Sequence, residues 1–383
     1  MNRMTLYPTV ILTGLFSISA LAAPPIATMR LPNGGVQPQA AVDSKHVAHL
    51  IYLKGDAAHC DVYYIRSTNG GMTWSSPIRV NHTEGSAIAI GTVRGAQLAI
   101  GKGGRVHVAW MGSDRAQPRA PGKATPMLYT RINDEGNGFE PERNVITSKV
   151  GLDGGGSVAA DEVGNVYVAW HAPADKGGTE QDRRVWVAKS SDDGKTFAPE
   201  VAVSKADTGA CGCCGMKVFA ADGKLFALYR GASQQINRGM FLLETDSRMQ
   251  RENDRQIAPM RSGVCVMSTS DLAAAPHGLL AAWETNEQVF WSHVDANHPD
   301  QLEIKPVPGP GGKRKHPAVT CDDRGNVLVA WAEGTGWNRG GSVAWQLYEP
   351  EGNPTTSGKV DNLPVWSEPA AFWTPAGGFV VAY

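Results

Sequence analysis

The sequence predicts an all-β fold, a six- or seven-bladed β-propeller of four-stranded antiparallel blades. One pattern recurs along the chain: a short strand, a turn rich in Asp and Gly, and a second strand that ends in an aromatic residue. Its copies are about 50 to 60 residues apart, the size of one four-stranded blade. The composition agrees, because 44 Gly and 24 Pro suit many short strands joined by tight turns.

The aromatic residues that end the second strands mark the copies. In chain order they are Tyr52, Trp110, Trp170, Tyr229, Trp283 and Trp331, and a shortened last copy runs from Pro369 to Tyr383. Because the four tryptophans occupy equivalent positions, we expect them to pack between blades; the alternative is that they stack on a bound sugar.

Six complete copies and a two-stranded remnant leave the blade count at six or seven, and we favour seven. The C-terminal hairpin would have exposed edges unless N-terminal residues such as Ile26 to Leu31 pair with it.

The N-terminus carries a short basic start, an apolar run from about Leu6 to Leu21, and the small-x-small sequence Ala20-Leu21-Ala22. This pattern predicts a signal peptide over residues 1–22 and one exported domain, periplasmic or secreted, over residues 23–383. The alternative, a membrane anchor, needs about 20 apolar residues, more than this run supplies. We therefore expect no membrane span after cleavage.

The charge balance argues against a nucleic-acid or anionic-lipid partner. Lys and Arg number 36 against 37 Asp and Glu, so no net field attracts a polyanion. A glycan, or a protein partner at one face of the propeller, remains a candidate ligand.

Strand direction predicts which face carries function. The entry of each innermost strand and the end of the next strand lie on one face, and the turns after the first and third strands lie on the other. Charged and thiol residues are frequent at the first kind of position, so we expect the working site at that mouth of the channel.

Two segments between predicted third and fourth strands share a motif. Ser67–Trp74 reads S-T-N-G-G-M-T-W and Ser190–Phe197 reads S-S-D-D-G-K-T-F, with a degenerate copy at Asp134–Phe139. Both full copies resemble the Asp box, S-x-D-x-G-x-T-W, of the sialidase and bacterial neuraminidase repeat superfamily. The resemblance covers essentially the whole mature chain. It implies a sialidase-like propeller that binds or hydrolyses glycans, although this fold also hosts assembly factors and binding modules.

The same resemblance implies a site with three arginines around the substrate carboxylate, a Tyr nucleophile assisted by Glu, and an Asp acid. Arg94 and Arg230 are candidate arginines, and Glu284 and Glu333 are candidate glycosidase carboxylates; the alternative is that these are solvated rim charges. Arg30 starts an Arg-Leu-Pro sequence similar to an early family motif. An Asn-Gly-Gly turn follows it, and no Tyr has a recognisable nucleophile context.

A cysteine cluster departs from the family pattern. Cys211, Cys213 and Cys214 precede the innermost strand of the fourth repeat, while Cys265 and His316 precede those of the fifth and sixth. Because these strands converge on the axis, the five residues form a candidate copper or zinc site. The alternatives are disulfides, such as Cys214 with Cys265, a redox-active pair, or unpaired packing. The competing function is therefore an exported binding or assembly protein without hydrolase activity.

Overall fold

The computed structural model describes Met1 and residues 26–175, 177–295, 298 and 301–383. Within these residues the chain forms 27 β-strands and four single-turn 3-10 helices, without an α-helix. No helix in this part of the chain is long and apolar enough to cross a bilayer. The predicted signal peptide lies outside the described residues, apart from Met1.

The strands form seven sheets, which are the blades of the propeller. Blade 1 contains β2 (Val36–Val42), β3 (Ala48–Asp56), β4 (His59–Ser67) and β5 (Ile78–Arg79); blade 2 contains β6 (Gln97–Ile100), β7 (Val106–Met111), β8 (Met127–Arg131) and β9 (Arg143–Asn144). Blade 3 contains β10 (Ser157–Ala160), β11 (Val166–Pro173), β12 (Arg183–Ser190) and β13 (Val201–Ala202); blade 4 contains β14 (Lys217–Ala221), β15 (Lys224–Arg230), β16 (Met240–Thr245) and β17 (Arg251–Ala258). Blade 5 contains β18 (Ser270–Ala274), β19 (Leu279–Thr285), β20 (Gln288–Val294) and β21 (Lys305–Pro306); blade 6 contains β22 (Arg314–Cys321), β23 (Val327–Glu333), β24 (Gly341–Tyr348) and β25 (Pro354–Leu363). Blade 7 combines β26 (Ala370–Thr374) and β27 (Gly378–Ala382) with β1 (Ile26–Met29).

The ring is closed, and the predicted propeller is confirmed with seven blades. Each innermost strand contacts the next around the axis, and β26 contacts β2. The seventh blade differs from the prediction in having three strands. Its third strand is β1, which runs parallel to β27 with Ile26 opposite Phe379 and Met29 opposite Ala382. The expected pairing of the N-terminal residues with the C-terminal hairpin is therefore confirmed.

The second strand of each blade is apolar on both faces because neighbouring blades cover both. Trp110, Trp170 and Trp283 have no exposed surface, and Trp331 is 4% exposed. Trp110, for example, packs in one cluster with residues of blade 1. The expected packing of these tryptophans between blades is confirmed, and truncating one would cost about 3–5 kcal/mol.

The turns opposite the strand entries are closed by side-chain oxygens. Gly71 N donates to Ser67 Oγ (2.8 Å) and Thr73 N donates to Asn69 Oδ1 (2.9 Å). The turn after Ser190 repeats both bonds. Its Gly194 has a φ of +79° and lies against the Tyr129 hydroxyl, where a Cβ would overlap. Both turns follow the third strand of a blade, as predicted.

Carboxylates also fasten blades 2, 3 and 4 to the loop that follows the preceding blade. Glu142 accepts bonds from the backbone of His82 and Thr83, and Asp254 accepts one from Lys205 N. Glu200 accepts bonds from the backbone N–H groups of three consecutive residues, 147–149. These bonds fix the loops that lead into the innermost strands.

Replacing Glu200 by Gln should lower the free energy of unfolding at pH 7 by about 2 kcal/mol. Burial alone would raise the pKa of Glu200, but the bonds from Thr147, Lys149 and Ser148 outweigh it and lower the pKa to about 2. A depressed pKa stabilises the fold above the ordinary value of 4.5 and loses that effect as the pH falls towards 2. Urea unfolding near pH 7 and near pH 3 measures this.

The matched control is Glu162→Gln, at an exposed position of a turn, which should leave stability unchanged. Equal stability of Glu200→Gln and wild type at pH 7, or a difference that persists unchanged near pH 3, would contradict the assignment.

Candidate functional site

The upper face of the propeller, defined here as the face with the entries of the innermost strands, carries the candidate site. It collects the connections between blades, such as 203–216 and 259–269, and the loops between second and third strands, such as 174–182 and 231–239. The lower face carries the Ser/Asn and Ser/Asp turns described above. This division of the loops follows the topology predicted from the sequence.

Four cysteines meet on the upper face, where the connections on either side of blade 4 come together; we call Cys211, Cys213, Cys214 and Cys265 the thiol centre. Cys213 and Cys265 form a disulfide with Cα atoms 6.5 Å apart. Cys211 Sγ lies 3.4 Å from Cys213 Sγ and 3.2 Å from Cys214 Sγ. The expected pairing of Cys265 with Cys214 is therefore wrong: its partner is the neighbouring Cys213, and Cys211 and Cys214 are free thiols.

Local backbone bonds explain this convergence. Cys214 N donates to Cys211 O (3.4 Å), a turn that places the two thiols on one side of the loop. Gly215 N donates to Ser268 O (3.0 Å), which joins this loop to the one that carries Cys265. Gly212 N donates to Glu180 Oε1 (2.9 Å). A turn within the loop and two neighbouring loops therefore hold the cysteines in place.

The four cysteines of the thiol centre differ in solvent exposure. Cys211 and Cys214 are each 2% exposed and pack against Ala232 and Val266. Cys213 is half-buried and Cys265 is exposed. A buried dithiol therefore lies directly behind a surface disulfide.

Two arginines set the electrostatics of the buried dithiol. Arg238 Nη1 donates to Cys211 Sγ (3.0 Å), and its Nη2 bonds Glu180 Oε2 (2.7 Å). The hydrogen bond with Cys211 lowers the pKa of Cys214 to about 6, against the effect of burial and with help from the charge of Arg230. The same bond and burial raise the pKa of Cys211. The pair thus loses one proton readily and a second with difficulty.

A buried histidine adjoins the cysteine loop. His171 is 1% exposed, and neither ring nitrogen has a hydrogen-bond partner. Its Nε2 and the carbonyl oxygens of Gly212 and Cys214 surround the position that a Cβ would occupy at Gly154. Burial lowers the pKa of His171 to about 4, so the ring is neutral at pH 7. A neutral imidazole next to the cysteine loop suits a metal ligand or proton acceptor.

The residues predicted as a sialidase-like constellation all have partners within the protein. Arg230 and Glu284 form a buried ion pair (2.8 Å), with side chains 2% and 1% exposed. Arg94 bonds the carboxylate of Asp153 at 3.1 Å. Glu333 bonds Arg314 at 3.0 Å and Lys359 at 2.7 Å. The structure thus brings Arg230 and Glu284 together, but as partners of each other.

His316, predicted to join the cysteines, contacts other groups. Its Nδ1 lies 3.3 Å from Thr269 Oγ1 and 3.6 Å from Glu368 Oε2. Burial, with the charge of Lys315, lowers the pKa of His316 to about 3. The histidine lines a different cavity on the same face.

That cavity, which we call the aromatic pocket, has a volume of about 90 Å³. Its walls include Trp337, Trp366, His316, Met267, Lys315 and Arg339. Trp337 is 53% exposed, and its ring meets that of Trp366 edge-on at a centroid distance of 6.5 Å. An exposed indole next to two cationic side chains is a surface that ring-shaped polar ligands can stack on.

The channel mouth itself is filled by a polar plug. Lys217 Nζ lies 3.3 Å from Asp271 Oδ1 and 3.2 Å from Gln39 Oε1. Glu368, whose pKa burial raises to about 8, bonds Gln39 and Thr269. The cavity at this level holds about 30 Å³, room for a water molecule but not for a sugar ring.

Sequence reasoning missed Arg238, Glu180, Trp337 and Trp366. The two tryptophans carry a usable signal: unlike the buried ones, they fall outside the repeat register, in upper-face connections. Arg238 and Glu180 lie in irregular loops of unequal length, where no repeat position identifies them.

Comparisons with known proteins identify the fold. No family model and no curated protein matches the chain. A Trypanosoma rangeli sialidase in complex with the inhibitor DANA is similar at 14% identity and a TM-score of 0.50, over 78% of this chain and 52% of that one. An α-L-arabinanase from Penicillium chrysogenum complexed with arabinobiose is similar at 14% identity and a TM-score of 0.53, over 83% and 94%. An α-L-arabinofuranosidase from Fusarium graminearum in complex with an iminosugar inhibitor is similar at 13% identity and a TM-score of 0.53, over 83% and 93%.

These neighbours are glycoside hydrolase propellers, and at such identities the likeness concerns the fold. The chain spans about half the length of the trypanosomal sialidases that it matches. It has a sialidase-like β-propeller fold.

Proposed function

We propose that this protein is an exported binding protein whose working group is the thiol centre, and that the centre holds a soft metal ion, Cu(I) or Zn(II). One observation carries the proposal: the sulfur atoms of Cys211, Cys213 and Cys214 lie within 4.8 Å of one another. Thiolates select these two metals. Reduction of the disulfide makes Cys213 available and offers Cys265 as a fourth thiolate, which tetrahedral zinc requires.

The surroundings support this proposal. The apolar packing of Ala232 and Val266 limits water, and Arg238 offsets the charge of a thiolate. His171 offers a neutral imidazole near the same loop. Export, with a signal peptide over residues 1–22 and one domain over 23–383, belongs to the same proposal. A Cys213–Cys265 disulfide is consistent with an oxidising compartment.

Replacing Cys211 or Cys214 by Ser should weaken metal binding at least about 100-fold, because each removes a buried thiolate ligand. The reduced protein is titrated separately with Cu(I) and Zn(II) against a colorimetric chelator, and bound metal is counted by elemental analysis. Cys265→Ser distinguishes the metals, since it should weaken zinc binding more than copper binding.

The matched control is Cys321→Ser, which removes a free thiol outside the centre and should retain wild-type affinity. Absence of stoichiometric metal in the reduced wild type, or equal affinity in Cys211→Ser and Cys321→Ser, would refute the proposal.

A second candidate function, glycan binding or hydrolysis on the upper face, is supported by the aromatic pocket. Trp337 presents an exposed ring face there, with Lys315 and Arg339 in the same wall. The similar structures include a sialidase with a bound inhibitor and an α-L-arabinanase with bound arabinobiose. In the hydrolytic form, Arg94 and Glu333, which keep some exposure, would reach the substrate, whereas Arg230 and Glu284 pair with each other below the surface.

Replacing Trp337 by Ala should abolish binding on a glycan array, since stacking on this ring supplies the apolar contact. Met72→Ala, an exposed apolar residue on the lower face, is the matched control. Turnover is measured with fluorogenic sialosides and arabinosides, and Glu333→Gln should reduce it at least about 100-fold. Binding that survives Trp337→Ala would remove the pocket from the hypothesis, and turnover unchanged in Glu333→Gln would remove that carboxylate.

A further inference from the structure

The free thiols and the disulfide of the thiol centre are in direct contact, as exchange requires. Cys214 Sγ is 3.2 Å from Cys211 Sγ, which is 3.4 Å from Cys213 Sγ, and Cys213 is bonded to Cys265. Thiol–disulfide exchange requires a thiolate in contact with a disulfide sulfur, with room for the other sulfur to leave. Cys211 meets the first condition by its contact with Cys213. Cys265 meets the second, because it is exposed on the surface.

We propose that the thiol centre is a disulfide relay, in which the buried dithiol Cys211/Cys214 reduces the Cys213–Cys265 disulfide and delivers a reactive thiol at Cys265. The relay rests on the thiol centre being the working group of the protein, and it adds an activity, exchange with external disulfides, to metal binding. Its external substrate is a disulfide, of a small thiol compound or of a protein, that reaches Cys265 from solvent.

The relay has two steps. In the first, the Cys214 thiolate takes the proton of Cys211 across their 3.2 Å contact, and the Cys211 thiolate attacks Cys213 Sγ; the Cys211–Cys213 bond forms, the Cys213–Cys265 bond breaks, and Cys265 leaves as a thiolate that faces solvent. In the second, Cys214 attacks Cys211 Sγ; the Cys211–Cys214 bond forms, the Cys211–Cys213 bond breaks, and Cys213 leaves and takes the proton of Cys214. Two electrons pass from the buried pair to the exposed pair, so no outside oxidant or reductant is consumed.

The exposed pair can then react outward. The Cys265 thiolate attacks an external disulfide and forms a mixed disulfide, and one external thiol leaves. Cys213 resolves the mixed disulfide, re-forms Cys213–Cys265 and releases the second external thiol. The external disulfide gains two electrons and the Cys211/Cys214 pair remains oxidised until a thiol reductant restores it.

The contacts around Cys211 suit the first step. Arg238 Nη1 donates to Cys211 Sγ at 3.0 Å, and Glu180 holds the other end of that guanidinium at 2.7 Å. A fixed guanidinium stabilises a thiolate at Cys211. Arg238 is thus a positioning residue for exchange.

Labelling by iodoacetamide of the native, full-length protein, without added reductant, tests the relay. A permanent Cys213–Cys265 disulfide leaves Cys265 unreactive, whereas the relay exposes it as a thiol. Mass spectrometry after acid quenching should find alkylated Cys265 in the wild type and a Cys211–Cys214 bond in the same molecules. In Cys211→Ser the labelling of Cys265 should be at least about tenfold slower. Cys321→Ser, the control outside the centre, should match the wild type.

A second variant, Cys214→Ser, separates the first attack from the second and gives a positive result that a misfolded protein would not give. Cys214→Ser retains the first attack but lacks the second, so it should accumulate a Cys211–Cys213 bond with Cys265 alkylated. Cys265 labelled equally fast in wild type and Cys211→Ser, or unlabelled in both with wild-type unfolding curves, would overturn the relay. Because metal binding is measured on fully reduced protein and exchange on unreduced protein, either proposal can fail while the other stands.

Discussion

The arrangement of this protein depends on one backbone pairing, the parallel contact of β1 with β27. Without it, the last sheet would be a two-stranded hairpin with an open edge, which is marginally stable in water. With it, Leu31 N donates to Tyr383 O at 3.0 Å, and the chain passes directly from the closing strand into blade 1. Closure of the ring brings residues from distant parts of the chain together on the upper face. The aromatic pocket, for example, is lined by residues from four different connections and strand entries, Thr92, Met267, His316 and Trp366. The pocket therefore exists only in the closed ring.

The two candidate sites of the upper face share one short segment. Cys265 is bonded to Cys213, and the next residue, Val266, packs against the buried thiols. The carbonyl of Val266 accepts a bond from Lys315 Nζ (2.7 Å), and the residue after it, Met267, lines the aromatic pocket with a φ of +50°. The Cys213–Cys265 bond and one wall of the pocket therefore lie within three consecutive residues, 265–267. The two sites are physically adjacent even though their chemistry differs.

The repeats predicted the fold because they are local: each Trp at the end of a second strand and each Asp turn shows its register within a few residues. The blade count stayed open because closure joins residues more than 350 positions apart, Ile26 and Phe379. The cysteine cluster was predictable from the convergence of strand entries, but the choice of Cys213 over Cys214 depends on side-chain directions inside a tight turn. The pairing of Arg230 with Glu284 could not be predicted either. Their positions in the repeats place both residues on the upper face but do not show whether their side chains meet. A charge on the working face is not free for substrate when the neighbouring blade supplies its partner.

Charge balance explains why the thiol centre suits both proposed activities. Two ion pairs surround it, Arg230 with Glu284 and Arg238 with Glu180, and each cancels its own charge. Any net charge at the thiol centre therefore lies on the buried sulfurs. The cost of desolvation limits that net charge to about one negative charge. A metal ion permits further thiolates because its positive charge offsets them, so binding must release protons. Disulfide exchange also keeps the centre at one negative charge, because the attack of a thiolate releases another thiolate. The charge moves outward from Cys211 to Cys265, where solvent stabilises it.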